Sequence, residues 1–136
     1  MKIIIVDDSK DYREGLRFYL NKLGGYEIIA EFADGEDLLN YPEIYSADLV
    51  LMDMVMPKVD GFNTSKQLIR RYPNIRILAI TMFNDETYLL DLIEFGLKGC
   101  VFKFNIFEEL SNAIETVIQG KLYFSNKMLI RNSDLE

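Results

Sequence analysis

Ile3-Ile4-Ile5-Val6 offers no polar residue in either register. A strand with one wet face alternates, so a run without alternation has to be covered on both faces. The pattern returns at Asp48–Asp53 and again from Ile75 to Ile80. A chain with three such strands needs layers of structure on both sides of one sheet. Each run also stops on a polar residue: Asp7-Asp8, Asp53 and Thr81. Two carboxylates about 4 Å apart at an effective dielectric near 20 repel by roughly 4 kcal/mol. Water or a cation must therefore attend Asp7 and Asp8.

Helical periods fill the gaps between the strands. Tyr12, Leu16, Tyr19, Leu20 and Leu23 fall at helical spacing before Gly24-Gly25. Glu27 to Phe32 mixes charged and apolar residues, as an edge strand with one wet side would. A short helix is expected near Gly35 to Tyr41. Phe62, Ser65, Leu68, Ile69 and Tyr72 trace another, closed by Pro73. Leu89, Leu92, Ile93 and Leu97 mark a fourth, and Cys100-Val101-Phe102 is a short fifth strand ending at Lys103. Asn105 with Glu108 suggests a capping box opening a last helix through Leu110, Ile114, Val117 and Ile118. Five strands alternating with five helices predict an α/β, flavodoxin-like, doubly wound parallel sheet of order 2-1-3-4-5. One domain over residues 1–120 is expected, with 121–136 as a linker.

Composition removes several kinds of chemistry. The 136 residues contain one cysteine and no histidine, which excludes an internal disulfide, imidazole-based zinc sites and Ser-His-Asp catalysis. A metal would have to be a hard cation held by oxygen. The net charge of −7 argues against direct binding to nucleic-acid phosphates. Apolar runs of four or five residues are too short to span a bilayer, and no signal peptide is evident, so a cytoplasmic location is expected.

In a parallel sheet of this order, ligands bind beyond the carboxyl ends of the strands. Asp7, Asp8, Asp53, Thr81 and Lys103 all stand there. Any one of them is as readily a cap or a solvated side chain; together they form a crevice of three carboxylates, a hydroxyl and an ammonium. Such a site is short of positive charge, and Mg²⁺, which takes oxygen ligands and keeps several waters, would supply it.

These residues give the sequence its resemblance to the receiver domain of two-component response regulators. The resemblance covers residues 1 to about 120 and rests on VDDS at 6–9, LMDMVMPKVDG ending at Gly61, Thr81 after ILAI, and GCVFKFN around Lys103. It implies that Asp53 accepts a phosphoryl group from a phosphohistidine on a sensor histidine kinase. Asp8, Asp53 and the carbonyl of Val55 would hold Mg²⁺, with Asp7 orienting a metal-bound water. Thr81 and Lys103 would contact phosphoryl oxygens. The phosphorylated chain would then switch conformation to control an output such as transcription, and it would catalyse only its own phosphotransfer and autodephosphorylation. Pro57 would stiffen the loop after the acceptor, and Gly61 would provide an unusual backbone angle.

The sequence departs from that family in places. Cys100 stands where an aromatic ring is usual, Phe104 where proline often follows the lysine, and Met82 where a small residue often follows the threonine. Val55 and Phe83 are apolar where some relatives carry polar residues that position water. A slowly decaying phosphoryl group is therefore expected, measurable after donor removal. GKLYFS at 120–125 resembles the junction to a LuxR-type helix-turn-helix, so DNA contact would belong to an output domain absent from this chain. Asp85–Phe95, Cys100–Phe102 and Phe107–Gln119 would form the face for a homodimer. Among rivals, a flavin carrier needs phosphate-binding donors where Asp7-Asp8 stand. An aspartate-based phosphatase would carry a second aspartate at Val55, and a degenerate interaction module would lack some of the five polar positions.

Overall fold

The computed structural model describes residues 1–54, 61–82 and 86–125, the side chains of 86–89 and 92 excepted. Val55, Pro57, Phe83, part of the expected dimer face and the segment after residue 125 lie outside the described residues. The described chain runs β1 (Lys2–Val6), α1 (Lys10–Leu23), β2 (Glu27–Phe32), α2 (Gly35–Leu39), β3 (Leu49–Asp53), α3 (Gly61–Arg71), β4 (Ile77–Thr81), α4 (Glu86–Phe95), β5 (Gly99–Phe102), α5 (Ile106–Ile118) and β6 (Tyr123–Phe124). Short 3-10 turns occupy Ile44–Ser46 and Lys103–Asn105. All strand pairings are parallel, in the order β2-β1-β3-β4-β5-β6.

The unalternating apolar runs are explained by where successive side chains go. Ile4, Val6, Val50, Met52, Ile77, Ala79, Cys100 and Phe102 pack on one face with Leu38, Leu68 and Leu97. Ile3, Ile5, Leu49, Leu51, Leu78, Ile80 and Val101 pack on the other with Leu16, Leu20, Leu110, Ile114 and Val117. Each fully buried aliphatic side chain contributes about 1.5–3 kcal/mol of transfer free energy, so both faces hold the central strands in place.

β2 is the edge strand the sequence suggests, but its alternation is broken. Ile3 pairs with Ile28 and Ile4 with Ala30, leaving Ile29 as an extra residue in a bulge. Ile29 and Ala30 consequently pack on the same core cluster. Beyond the bulge, Glu31 pairs with both Arg13 and Arg17 of α1.

Two expectations need correction. The segment from residue 121 is not wholly a linker: Tyr123 and Phe124 add a sixth parallel strand beside β5. Its tie is local to α5, because Glu109 accepts hydrogen bonds from the Tyr123 and Ser125 hydroxyls, each at 2.8 Å. A two-residue strand has too little sequence for a period to appear. Asn105 does precede α5, but its side chain makes no capping hydrogen bond, so the capping box does not form.

Candidate functional site

The register of the sheet sets the geometry. Val6 lies opposite Met52, so the next residues, Asp7 and Asp53, emerge level with each other. Asp53 is paired with Ile80, and Thr81 with Phe102, so Thr81 and Lys103 each follow one residue beyond those pairs. Parallel pairing thus brings four strand ends to one edge. Carboxylate oxygens of Asp7, Asp8 and Asp53 lie within 4.8 Å of one another. Asp7 is 1% exposed and Asp53 4%, whereas Asp8 faces solvent.

Lys103 supplies the positive charge. Its Nζ donates to Asp7 Oδ2 at 3.0 Å and lies 3.7 Å from Asp53 Oδ2. Burial alone pulls its ammonium pKa down. The hydrogen bond to Asp7 and the charges of Asp53, Asp7 and Asp8 outweigh that, and the net direction is upward. Lys103 is therefore held firmly as a cation. One ammonium still leaves two negative charges unmatched, and a set of three carboxylates is a hard-oxygen environment that fits a divalent cation such as Mg²⁺.

Asp7 is fixed on every side. Its Oδ1 accepts from the Ser9 backbone N–H at 2.8 Å and its carbonyl accepts from Arg13 Nη1 at 2.6 Å. Ser9 also caps α1, its hydroxyl oxygen accepting from the Tyr12 N–H at 3.2 Å. The same short turn therefore ends β1, starts α1 and orients Asp7.

Thr81 ends β4 and is 1% exposed. Met82, which follows, is well exposed. The backbone angle expected of Gly61 depends on residue 60, outside the described residues. Gly61 opens α3 against the end of β3. Its role is close approach: a Cβ there would overlap the Asp53 carbonyl oxygen and lie 2.6 Å from Met54 Cα.

Sequence reasoning missed Tyr12 and Arg13. Tyr12 has the helical spacing of a core residue, yet its ring lies beneath Lys103 Nζ, 4.3 Å from the centroid. Burial, then the charges of Asp7 and Asp53, push its phenol pKa well up, so it stays a neutral hydroxyl. Arg13 stood in no motif, and only the fold places it between Asp7 and Glu31.

Cys100, at the departure from the usual aromatic position, is fully buried, and burial pushes its thiol well above the ordinary range. Thiolate is the reactive form. Iodoacetamide is therefore expected to leave the native protein unlabelled even at mildly alkaline pH and to label it readily in denaturant. Labelling of the native chain at a rate close to that in denaturant would contradict this burial. Phe102 is buried, and exposed Phe104 stacks on it, with ring centroids 5.0 Å apart and planes 15° from parallel.

A doubly wound parallel sheet with an acidic crevice and one lysine at its carboxyl edge defines the response regulator receiver fold, and the chain belongs to that family: residues 3–115 match the response regulator receiver domain. It is a signalling domain, of a family that binds Mg²⁺ at an acidic pocket. Its relatives include the transcriptional regulatory protein DegU of Brevibacillus brevis, 34% identical over 128 residues, covering 94% of this chain and 54% of the relative. The oxygen regulatory protein NreC of Staphylococcus aureus is 36% identical over 129 residues, covering 94% and 59%. The chain thus spans little more than half the length of these curated relatives.

Among solved structures, the isolated receiver domain of RcsB from Salmonella enterica serovar Typhimurium with the phosphomimetic BeF3− superposes with a TM-score of 0.85 at 26% identity, covering 100% of this chain and 99% of that one. A LuxR-family response regulator from Aurantimonas sp. SI85-9A1 gives 0.87 at 28% identity, covering 98% and 94%. RcsB has also been solved as dimers bound to DNA. In this chain, among the described residues, no helix is long and apolar enough to cross a membrane.

Proposed function

We infer that Asp53 is the phosphoacceptor of this receiver. The observation that carries the reading is the meeting of Asp53 with Lys103 at 3.7 Å, inside a cluster whose other two carboxylates lie within 4.8 Å. An Asp53 oxygen attacks phosphorus of a phosphoramidate or acyl phosphate donor. The new O–P bond forms as the bond from phosphorus to the donor breaks, and the donor's nitrogen or oxygen leaves with that electron pair. Both partners are anionic, and the Lys103 ammonium reduces that repulsion and stabilises the charge on the transferring group. Thr81, at the end of the adjacent strand, is assigned as hydroxyl donor to a phosphoryl oxygen.

Asp8, Asp53 and the Val55 carbonyl are assigned to hold Mg²⁺, and Asp7 to orient a water on it. When bound, the ion supplies electrostatic stabilisation of phosphoryl oxygens. Asp7 suits an orienting role, since Ser9 and Lys103 already engage its two oxygens. An aspartyl phosphate adds about −1.5 to −2 charge and three strong acceptors. That charge draws Lys103 from Asp7 and biases the neighbouring β4 and β5 ends, a local switch of the kind receivers use.

The donor in the cell is assigned as a phosphohistidine on a sensor histidine kinase, and the compartment as the cytoplasm. Slow autodephosphorylation, pairing of two copies through the face of α4, β5 and α5, and transcriptional control through a DNA-binding region outside this chain complete the reading. Its support is the kinship with DegU and NreC and with DNA-bound RcsB.

The test is incubation with acetyl phosphate and Mg²⁺ followed by intact mass measurement. One phosphoryl adduct is expected on the wild type, none on Asp53→Ala, and none after chelation. An adduct of equal yield on Asp53→Ala would move the acceptor elsewhere, and a wild type without any adduct would overturn the reading.

A further inference from the structure

Lys103 is held on two sides, and only its carboxylate side is used by the reaction proposed above. On the other side its Nζ lies 4.3 Å from the centroid of the Tyr12 ring. The Tyr12 hydroxyl donates to the carbonyl of Lys103 itself at 3.4 Å. One residue of α1 therefore meets both the main chain and the ammonium of a lysine 91 positions away. Its own placement is fixed by the Ser9 cap, which accepts from the Tyr12 N–H and ties it to the turn that also orients Asp7.

We propose that Tyr12 is a positioning residue for phosphoryl transfer, its ring face holding the Lys103 ammonium over the crevice and aimed at Asp53. The inference rests on the phosphoacceptor reading. Lysine carries a compact charge on a flexible four-carbon stem, so nothing intrinsic to it fixes where the charge sits. Its hydrogen bond to Asp7 is one that the ammonium must loosen when charge appears on phosphoryl oxygens beside Asp53. A ring face attracts a cation without demanding a single hydrogen-bond direction. Lys103 can therefore turn from Asp7 toward the transferring group while staying over the ring. A charge already held over the crevice has only that short turn to make, which keeps the reorganisation at the moment of reaction small.

A ring that merely fills space would be replaceable by an aliphatic side chain, and this separates the two roles. Initial rates of adduct formation are measured against acetyl phosphate concentration, with Mg²⁺, for wild type, Tyr12→Phe, Tyr12→Leu and Tyr12→Met, alongside thermal melts. Phe keeps the ring, and its rate is expected within about twofold of wild type. Leu and Met are each expected about tenfold slower at saturating donor, the magnitude a partly desolvated cation–π contact carries. Half-saturating donor concentration should change little. Restoration by Phe, with melting points of Phe and Leu alike, separates positioning from loss of fold, and Met serves where Leu melts early. Leu and Met as fast as wild type would overturn the inference. Phe as slow as Leu would overturn it too, by assigning the effect to the hydroxyl. A wild type that takes no phosphoryl group overturns the phosphoacceptor reading and this inference with it.

Discussion

Lys103→Met is expected to slow phosphoryl transfer to Asp53 by about 10²- to 10³-fold, the range found when one preorganised electrostatic donor is removed. Lys103 is the cation that bridges the nearly buried Asp7 and Asp53. Methionine keeps an unbranched apolar side chain and removes the ammonium, with its contacts to Asp7, Asp53 and the Tyr12 ring. Without it, three carboxylates whose oxygens lie within 4.8 Å face one another, so folding stability should fall as well, by about 1–3 kcal/mol as a partner of buried charge is lost. Mg²⁺ should then raise the melting temperature of the variant more than that of the wild type, because the ion meets a larger charge deficit. The pH dependence follows from the direction of the lysine shift. Its folded pKa lies above the unfolded value of about 10.4, so the stability it contributes is complete below that value and is lost only as pH climbs through the folded value. The wild-type ion pair is accordingly at full strength at neutral pH. Initial-rate and thermal-melt measurements decide the matter: wild-type rates in Lys103→Met would remove the lysine from the mechanism.

The parts of this site that were legible in the sequence are those set by strand periodicity. Asp7, Asp8, Asp53, Thr81 and Lys103 each end a buried run, and parallel order alone sends such ends to one edge. The parts that were not legible depend on distance between elements. Tyr12 has the spacing of an ordinary core position, and only the packing of α1 against the turn between β5 and α5 puts its ring beneath Lys103. Glu31 looked like the wet side of an edge strand; the bulge at Ile3/Ile4 fixes the register that carries it to Arg13 and Arg17. Cys100 could not be phased from a strand of four residues, and its burial places it beside Phe102 on the face covered by α2 and α3. β6 is held by Glu109, a partner on another element that no local pattern signals.

Gly61→Val is expected to be the most disruptive single substitution near the site, and contact with backbone atoms is sufficient cause. A Cβ at Gly61 overlaps the Asp53 carbonyl oxygen and approaches Met54 Cα to 2.6 Å and the Asp53 carbonyl carbon to 2.9 Å. All three are backbone atoms at the end of β3, so no flexible side chain is available to yield. Overpacking of a fitted interior costs about 1–3 kcal/mol and occasionally more, and here the upper end applies. For a domain of this size, about 3 kcal/mol lowers the melting temperature by roughly 10 °C. The displaced backbone carries Asp53, and misplacement by about 1 Å can cost 10²-fold in rate, so phosphorylation should fall with stability. Gly120 provides the contrast. It has a φ of +84°, and a Cβ there would meet nothing within 4 Å. Its requirement is therefore conformational, and asparagine, which tolerates that region, should replace it at little cost. Asparagine at Gly61 should fail as badly as valine, since any Cβ meets the same backbone. Equal tolerance of asparagine at the two positions, in thermal melts and phosphorylation rates, would show that α3 does not press on Asp53 as this geometry requires.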